Sequence, residues 1–539
     1  MTSPTTAAWP VPPRTTNRVL LACWLAILAE GYDVGVLGAV LPALAEHREW
    51  DLTPLELGGL GSYALVGMLI GAMVIGTLSD RIGRRRMLLV SMAIFTTMQL
   101  GAALAPTPEV FGLFRLLGGL GMGGIIPVAA ALTIEYSAPR RRSFNYGVMY
   151  SGYSLGILAA ALVAIVLLPT LGWRWVVGVG FLPVVLLPLV ARLLPESLEY
   201  LMGKGRREEA ARLAARLHVT PFVEGDWTPV RSEEAKARSV GWKQSLAAMF
   251  SGGYLTATVF FWVSLFCGMV LVYGLNTWLP SIMRSAGYEL GPALTFLVVF
   301  SLASAAGGIA LGRAADAYGK KLILVVFYLL GGAGILLLMF PNSIVVNYVF
   351  VALAGIGSIS TSLVLTGWVA EYYPAHSRAT ATGWALSFAR IGAISGPLIG
   401  GWIGSMALPF QWNFIVFAAV ALVAAGSVAL IPQFPGPAGP AARRGRSGRA
   451  EGAGGTGRLS RAARRPGAPA APAAPHPAGS GPSWPGAGRS AGAGALRSSA
   501  GSSACRWARS PSWSSTVRIS TGPPCATMAC GTIVENCAA

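Results

Sequence analysis

The chain has 539 residues, of which 54% are hydrophobic and only 12% charged, with a mean hydropathy of +0.58. A soluble protein carries about twice that share of charge, so the composition points to a membrane protein with many spans. The net charge of +19 does not indicate nucleic acid as a partner: from residue 436 on, 13 Arg against 2 Glu supply +11 of it.

In chain order, residues 1–17 form a polar, proline-rich lead-in (Pro10, Pro12, Pro13). Twelve apolar segments follow, at about 18–45, 57–79, 87–105, 110–135, 144–169, 173–194, 253–283, 292–313, 321–340, 345–370, 379–405 and 411–432. The first is too long for a cleavable signal and lacks a small-residue cleavage site. Basic residues gather in alternate loops. Arg81, Arg84, Arg85 and Arg86 follow segment 2, Arg140, Arg141 and Arg142 follow segment 4, and a Lys/Arg-rich stretch follows segment 6. Lys320, Lys321 and Arg378 continue the series, whereas the first opposite loop is acidic (Glu46, Glu49, Asp51, Glu56). The positive-inside rule then places both termini in the cytoplasm.

The long loop 195–252, expected to be cytoplasmic, divides the segments into halves at 18–194 and 253–435, and its stretch Arg206 to Leu217 has the spacing of a charged surface helix. From residue 436 to 539 the chain is rich in Ala, Gly, Pro, Ser and Arg without periodicity; disorder is expected there, or a frameshifted end. Cys23 and Cys267 lie in different segments, so neither a disulfide nor a metal framework is suggested, and no cofactor is expected. An enzyme has little support, with four His and no nucleophile motif.

Glu30 and Asp33 are the only charges in the first stretch, LACWLAILAEGYDVGVLGAVLPAL from Leu21. An ionised acid at the centre of a bilayer costs roughly 2.5–3.5 kcal/mol, so two of them at i,i+3 should face a water-filled path or a partner charge. Burial disfavours the charged form of each and each repels the other, so this pair is expected to carry protons. Arg390 lies eleven residues into segment 11, near mid-bilayer and close to Trp384, Phe388 and Gly392. It is read either as an interhelical salt bridge or as a planar clamp for a substrate carboxylate. Tyr153, Phe266, Tyr273 and Trp384 are the candidate ring contacts, chosen by helical position.

A repeat relates the halves. Gly76-Thr-Leu-Ser-Asp80-Arg81-Ile-Gly83-Arg84-Arg85 returns as Gly312-Arg-Ala-Ala-Asp316-Ala317-Tyr-Gly319-Lys320-Lys321, at an offset of 236. Glu135-Tyr136 with Arg142 returns as Glu371-Tyr372 with Arg378 at the same offset. Two six-helix halves with the binding site between them are therefore expected. Asp80 can accept hydrogen bonds from a neighbouring helix N-terminus and a nearby Arg, forming a latch that must break when the halves move. The second latch should be weaker, because Ala317 stands where the first copy has Arg81. Arg115, followed by Gly118, Gly119, Gly121, Gly123 and Gly124, begins about six residues from the outer end, so either a snorkelling or a proton-coupling arginine fits.

The motif at 76–85 and its copy at 312–321 resemble the loop signature of the major facilitator superfamily, and Arg115 with its glycines resembles the fourth-helix pattern. The resemblance implies an all-α fold of twelve helices in two pseudo-symmetric halves, with Gly76, Asp80, Arg81, Gly83, Arg84, Arg115, Glu135, Arg142, Asp316, Glu371 and Arg378 in gating roles. The Gly-Pro of the superfamily's antiporters is absent from segment 5, which favours import. Glu30-Gly31-Tyr32-Asp33 with Gly38 and Pro42 resembles the first-helix motif of the aromatic acid:proton symporters, Asp-Gly-x-Asp, with Glu30 as a conservative departure. It implies a bacterial inner-membrane symporter, functional as a monomer, whose partners are protons, a benzoate-like anion and the lipid bilayer. Pro195-Glu196-Ser197 is similar to an element common in carriers of this kind. A sugar or polyol carrier, drug efflux and a non-transporting receptor remain as alternatives.

Overall fold

The protein is described here by a computed structural model covering residues 11–219, 249–250, 254–373, 375–406 and 408–433. The expected tail 436–539, residues 1–10 of the lead-in, residues 220–248 and 251–253 of the central loop, and the side chain of Arg378 lie outside the described residues. Every regular element among the described residues is helical. Twelve helices are long and apolar enough to cross a membrane. They are α1 (Pro13–Ala45), α2 (Pro54–Ile82), α3 (Arg84–Ala103), α4 (Pro108–Glu135), α5 (Arg142–Leu171), α6 (Trp173–Leu193), α7 (Tyr254–Ser285), α8 (Leu290–Tyr318), α9 (Lys320–Leu337), α10 (Ile344–Tyr372), α11 (Ala375–Ser405) and α12 (Gln411–Leu430). Two short helices, Leu198–Gly203 and Arg207–Arg216, follow α6.

Local chemistry sets several boundaries. α1 starts at Pro13, inside the polar lead-in, because proline at the first helical position lacks only an N–H that would be unpaired anyway. Thr53 and Glu56 close a reciprocal capping box on α2. Within α10 the backbone makes a π-turn at Ile356–Ser360. Large apolar side chains such as Met73 and Val185 stay about 70% exposed, which suits contact with lipid rather than water.

Lipid is as apolar as leucine, so helix association inside a bilayer rests on close packing rather than on a hydrophobic driving force. α1 lies against α5, and a Cβ on Gly31 would sit 2.1 Å from the Tyr153 carbonyl oxygen. The same arrangement pairs α7 with α11 in the second half, where a Cβ on Gly392 would sit 2.3 Å from the Phe266 carbonyl.

The 236-residue repeat is written in contacts. Arg84 pairs with Glu135, and Lys320 with Glu371. Tyr136 donates to the Glu196 carbonyl at 2.6 Å, and Tyr372 to the Pro432 carbonyl at 2.8 Å. Each member of the second pair of contacts is the first shifted by the repeat, so the halves are pseudo-symmetric in side-chain chemistry as well as in chain path.

The halves meet at the end of the bundle that carries the acidic loop 46–53. There α1 meets α7, with Asn276 donating to the Val34 carbonyl at 3.1 Å, and α2 meets α11, with Ser62 donating to the Ile394 carbonyl at 2.8 Å. Arg284 and Glu46 pair across the same junction at 3.3 Å. A Cβ on Gly38 would lie 1.9 Å from the Asn276 carbonyl, too close for any side chain. Gly38→Leu should therefore hold this end apart. A cysteine placed at Ser62 should then react with an impermeant maleimide at least severalfold faster than in the otherwise unchanged protein. Equal rates would show that the contact at Gly38 does not control closure.

Candidate functional site

Asp33 lies on α1 with 2% of its surface exposed, and its carboxylate is ion-paired with Arg115 of α4. Arg115 also donates to the Asp33 carbonyl and to Gln99 Oε1 of α3, each at 3.2 Å. The guanidinium is 4% exposed and turned into the bundle, which excludes the snorkelling alternative. Gln99 is a partner that the sequence signals only as a rare amide in an apolar segment.

Glu30, one turn earlier, is in a different setting. It is fully buried, and neither carboxylate oxygen has a hydrogen-bond partner among the described residues. The two acids thus differ: Asp33 is held by α4, whereas Glu30 has no partner among the described residues.

Arg390 is half-buried at the junction of the halves, with Nη1 3.9 Å from the Met68 sulfur of α2. It forms no ion pair at salt-bridge distance with any described residue, so the interhelical salt bridge is not formed in this conformation. The Tyr153 hydroxyl of α5 donates to that of Tyr273 on α7 at 3.2 Å, also joining the halves. Phe266 lies 6.0 Å from Phe388, whose ring stacks on Trp262 at 5.2 Å. Trp384 is 48% exposed and stacks on Trp262 at 6.2 Å, at the outer end of that aromatic row. Trp262 and Met68 belong to the same neighbourhood and are not among the expected residues, and Tyr150 stacks on Tyr153; Phe388 was expected beside Arg390 but not as a ring contact.

The basic end holds most of the residues expected to act in gating; Arg115 is not among them. Arg84 donates to Glu135 at 2.9 Å, Glu199 at 3.1 Å and Ser197 at 3.3 Å. Ser197 in turn donates to Glu135 at 2.7 Å. The acceptor at the α3 N-terminus is Glu196, which takes the Arg85 N–H at 2.9 Å. Asp80, expected there, is exposed and accepts no hydrogen bond among the described residues. A carboxylate from the Pro195-Glu196-Ser197 turn occupies the helix end instead, a contact 111 residues away in sequence that local reading does not reveal. In the second half Pro432 stands at the repeat of Glu196, so α9 lacks such a carboxylate there.

The Tyr136 phenol is held well above its usual range by burial, then by Glu135 and Glu196 beside it, and so stays a donor. Arg81 is exposed and takes part through its carbonyl, which accepts from Tyr200 at 3.0 Å. Arg142 is half-buried with an unpaired Nε, while Asp316 is exposed; Gly76 has open space at its Cβ. All of these contacts stay on the first half and the segment that follows it.

Gly83 joins α2 to α3 at φ +119°, and a Cβ there would approach Glu196 Oε2 to 2.6 Å. Gly83→Ala should cost about 1–3 kcal/mol from backbone strain before any displacement of Glu196 is counted. A melt of the purified protein should show a clear fall in unfolding temperature; an unchanged melt would mean that the turn relaxes freely.

A family model described as Major Facilitator Superfamily matches residues 23–363 and 293–496. The benzoate transport protein of Acinetobacter baylyi is 32% identical over 419 residues, 77% of this chain and 89% of that protein. The gentisate transporter of Corynebacterium glutamicum is 33% identical over 76% of this chain and 86% of its own. The 4-hydroxybenzoate transporter PcaK of Pseudomonas aeruginosa is 32% identical over 77% and 91%. Among solved structures, the partially occluded, inward-open xylose transporter XylE from E. coli superposes with a TM-score of 0.62 at 17% identity, covering 76% of this chain and 96% of that one. That likeness concerns the fold.

Proposed function

The chain belongs to the Major Facilitator Superfamily, a family of multi-pass membrane transporters, and from that premise we propose that it imports a benzoate-like aromatic carboxylate together with protons. The observation that carries the reading is Arg390: a guanidinium at the junction of the halves, without an ion-pair partner among the described residues, on the same helix as the ring of Phe388 that stacks on Trp262. An unpaired cation in that position suits an anionic substrate, and a flat ring suits the walls. The relatives named for benzoate, gentisate and 4-hydroxybenzoate support the same substrate class.

In this reading Arg390 takes the substrate carboxylate bidentately while Tyr153, Tyr273 and Phe266 flank the ring and Trp384 closes the row. Glu30 accepts a proton when the substrate anion takes over the charge of Arg390. Asp33 exchanges its proton for the Arg115 guanidinium: paired it is ionised, and released it is neutral. The halves then rock about the tyrosine pair, breaking contacts such as Asn276 to Val34 at one end and rearranging the Arg84–Glu135–Glu196 network at the other. The basic end faces the cytoplasm by the positive-inside rule, in a bacterial inner membrane, and one chain suffices as the functional unit.

A sugar carrier fits less well. Gln99 Oε1 and Asn276 Nδ2, from amides a polyol would need, are engaged in contacts between helices. In cells expressing the chain, uptake of labelled benzoate should be blocked by excess 4-hydroxybenzoate and untouched by xylose or by a cationic dye. Inhibition by xylose with none by 4-hydroxybenzoate would replace the proposed substrate class.

A further inference from the structure

Between α5, α8 and α10 lies a cavity of about 280 Å³ that meets the Arg390 neighbourhood at Tyr150 but is not lined by Arg390 itself. Its lining includes Phe144, Tyr150, Ser154, Ser360 and, among its described lining residues, one charged side chain, Arg313. Sites for drug-sized ligands run from roughly 300 Å³ upwards, so this one suits a single small ring. At its inner end Tyr150 stacks on Tyr153 at 5.8 Å, and Tyr153 is the ring that meets Tyr273 across the halves. At its other end lie Ser143, second residue of α5, and Arg313, near the last turn of α8. The cavity therefore leads from the tyrosine pair to the basic end.

The donors are distributed unevenly. Ser360 already gives its hydroxyl proton to the Ser304 carbonyl at 2.9 Å. Ser143 and Ser154 donate to nothing among the described residues, and Arg313 has neither an ion-pair partner nor a hydrogen-bond acceptor there. An anion would thus be held at the mouth by Arg313 and Ser143, with its apolar body directed inwards along Phe144 and Tyr150. Arg313 is not part of the internal repeat, since Thr77 occupies the equivalent position. The cation is a feature of the second half alone.

We infer that this cavity is a second, weaker subsite for the aromatic carboxylate, occupied on the way between the central site and the cytoplasm. The inference rests on the substrate class proposed above and adds a site to it. Ser154, at the inner end, offers a hydroxyl to a ring substituent, whereas Ser143 shares the carboxylate with Arg313.

The test is equilibrium binding of labelled benzoate to the purified full-length protein. Wild type should show two classes of site. Arg390→Ala should weaken the tight class and keep the weak one; Arg313→Ala should weaken the weak class by about tenfold or more, the loss expected when a charge-assisted pair is removed. Arg313→Lys should restore part of it. The surviving tight class in Arg313→Ala reports that the protein is folded, and Arg313 is exposed, so its replacement leaves the packing intact. A single class abolished by Arg390→Ala and untouched by Arg313→Ala overturns the subsite while leaving the substrate class standing. A weak class displaced equally well by acetate removes the aromatic requirement and overturns it too. No benzoate binding by folded wild type removes both readings together.

Discussion

Asp33→Asn should abolish accumulation of benzoate against its gradient, leaving only the equilibration reached in the presence of a protonophore. Asparagine can still accept from Arg115, so the contact survives in part, but it has no proton to take up and release. Counterflow of labelled benzoate against unlabelled benzoate, which needs no net proton movement, should persist. Arg115→Ala is the harsher change. It strands a carboxylate that is 2% exposed, and breaking a buried pair from one side costs about 3–5 kcal/mol unless Asp33 keeps its proton. The double variant Asp33→Asn with Arg115→Gln should recover stability but not coupling. Measured together, melting temperature and accumulation separate the structural part of the pair from its transport part. Accumulation at the wild-type level in Asp33→Asn would remove Asp33 from the proton path.

Arg390→Ala should weaken benzoate binding about 10- to 150-fold, the equivalent of about 1.5–3 kcal/mol for hydrogen bonds to a charged group. It should also erase discrimination between benzoate and the neutral benzamide, because the fork that reads the carboxylate is gone. Arg390→Lys keeps the charge and loses the planar pair of donors, so it should fall between the two. In the proposed cycle Glu30 takes its proton as Arg390 takes the substrate, so Glu30→Gln in the Arg390→Ala background should add little further loss. Unaltered affinity in Arg390→Ala would move the carboxylate elsewhere, and the Arg313 cavity would then be the next place to look.

The repeat made the halves legible from sequence, because two motifs share one offset, and Arg84–Glu135 and Lys320–Glu371 carry that offset into space. Asp33 was legible as a charge in an apolar stretch. Its pairing with Arg115 was not, since counting residues from a helix end gauges depth poorly when helices such as α1, at 33 residues, overrun the bilayer and tilt. Glu30 and Asp33 were expected to act from one face; the roughly 60° between positions i and i+3 is enough to set them apart, Asp33 held by α4 and Glu30 without a partner among the described residues. Asp80 shows the same limit. Its motif is plain, yet the carboxylate that holds the α3 end comes from Glu196, and only the folded chain brings that turn to Arg85.

The most direct test of the account is benzoate movement into proteoliposomes holding the full-length chain, with an acid exterior imposed on a neutral interior. Proton-coupled carriage through the Arg390 neighbourhood predicts a transient overshoot of internal benzoate above the level in liposomes without protein, abolished by a protonophore and absent in Asp33→Asn. Uptake that follows the benzoate gradient alone, with the same time course whether or not the pH gradient is present, would contradict it.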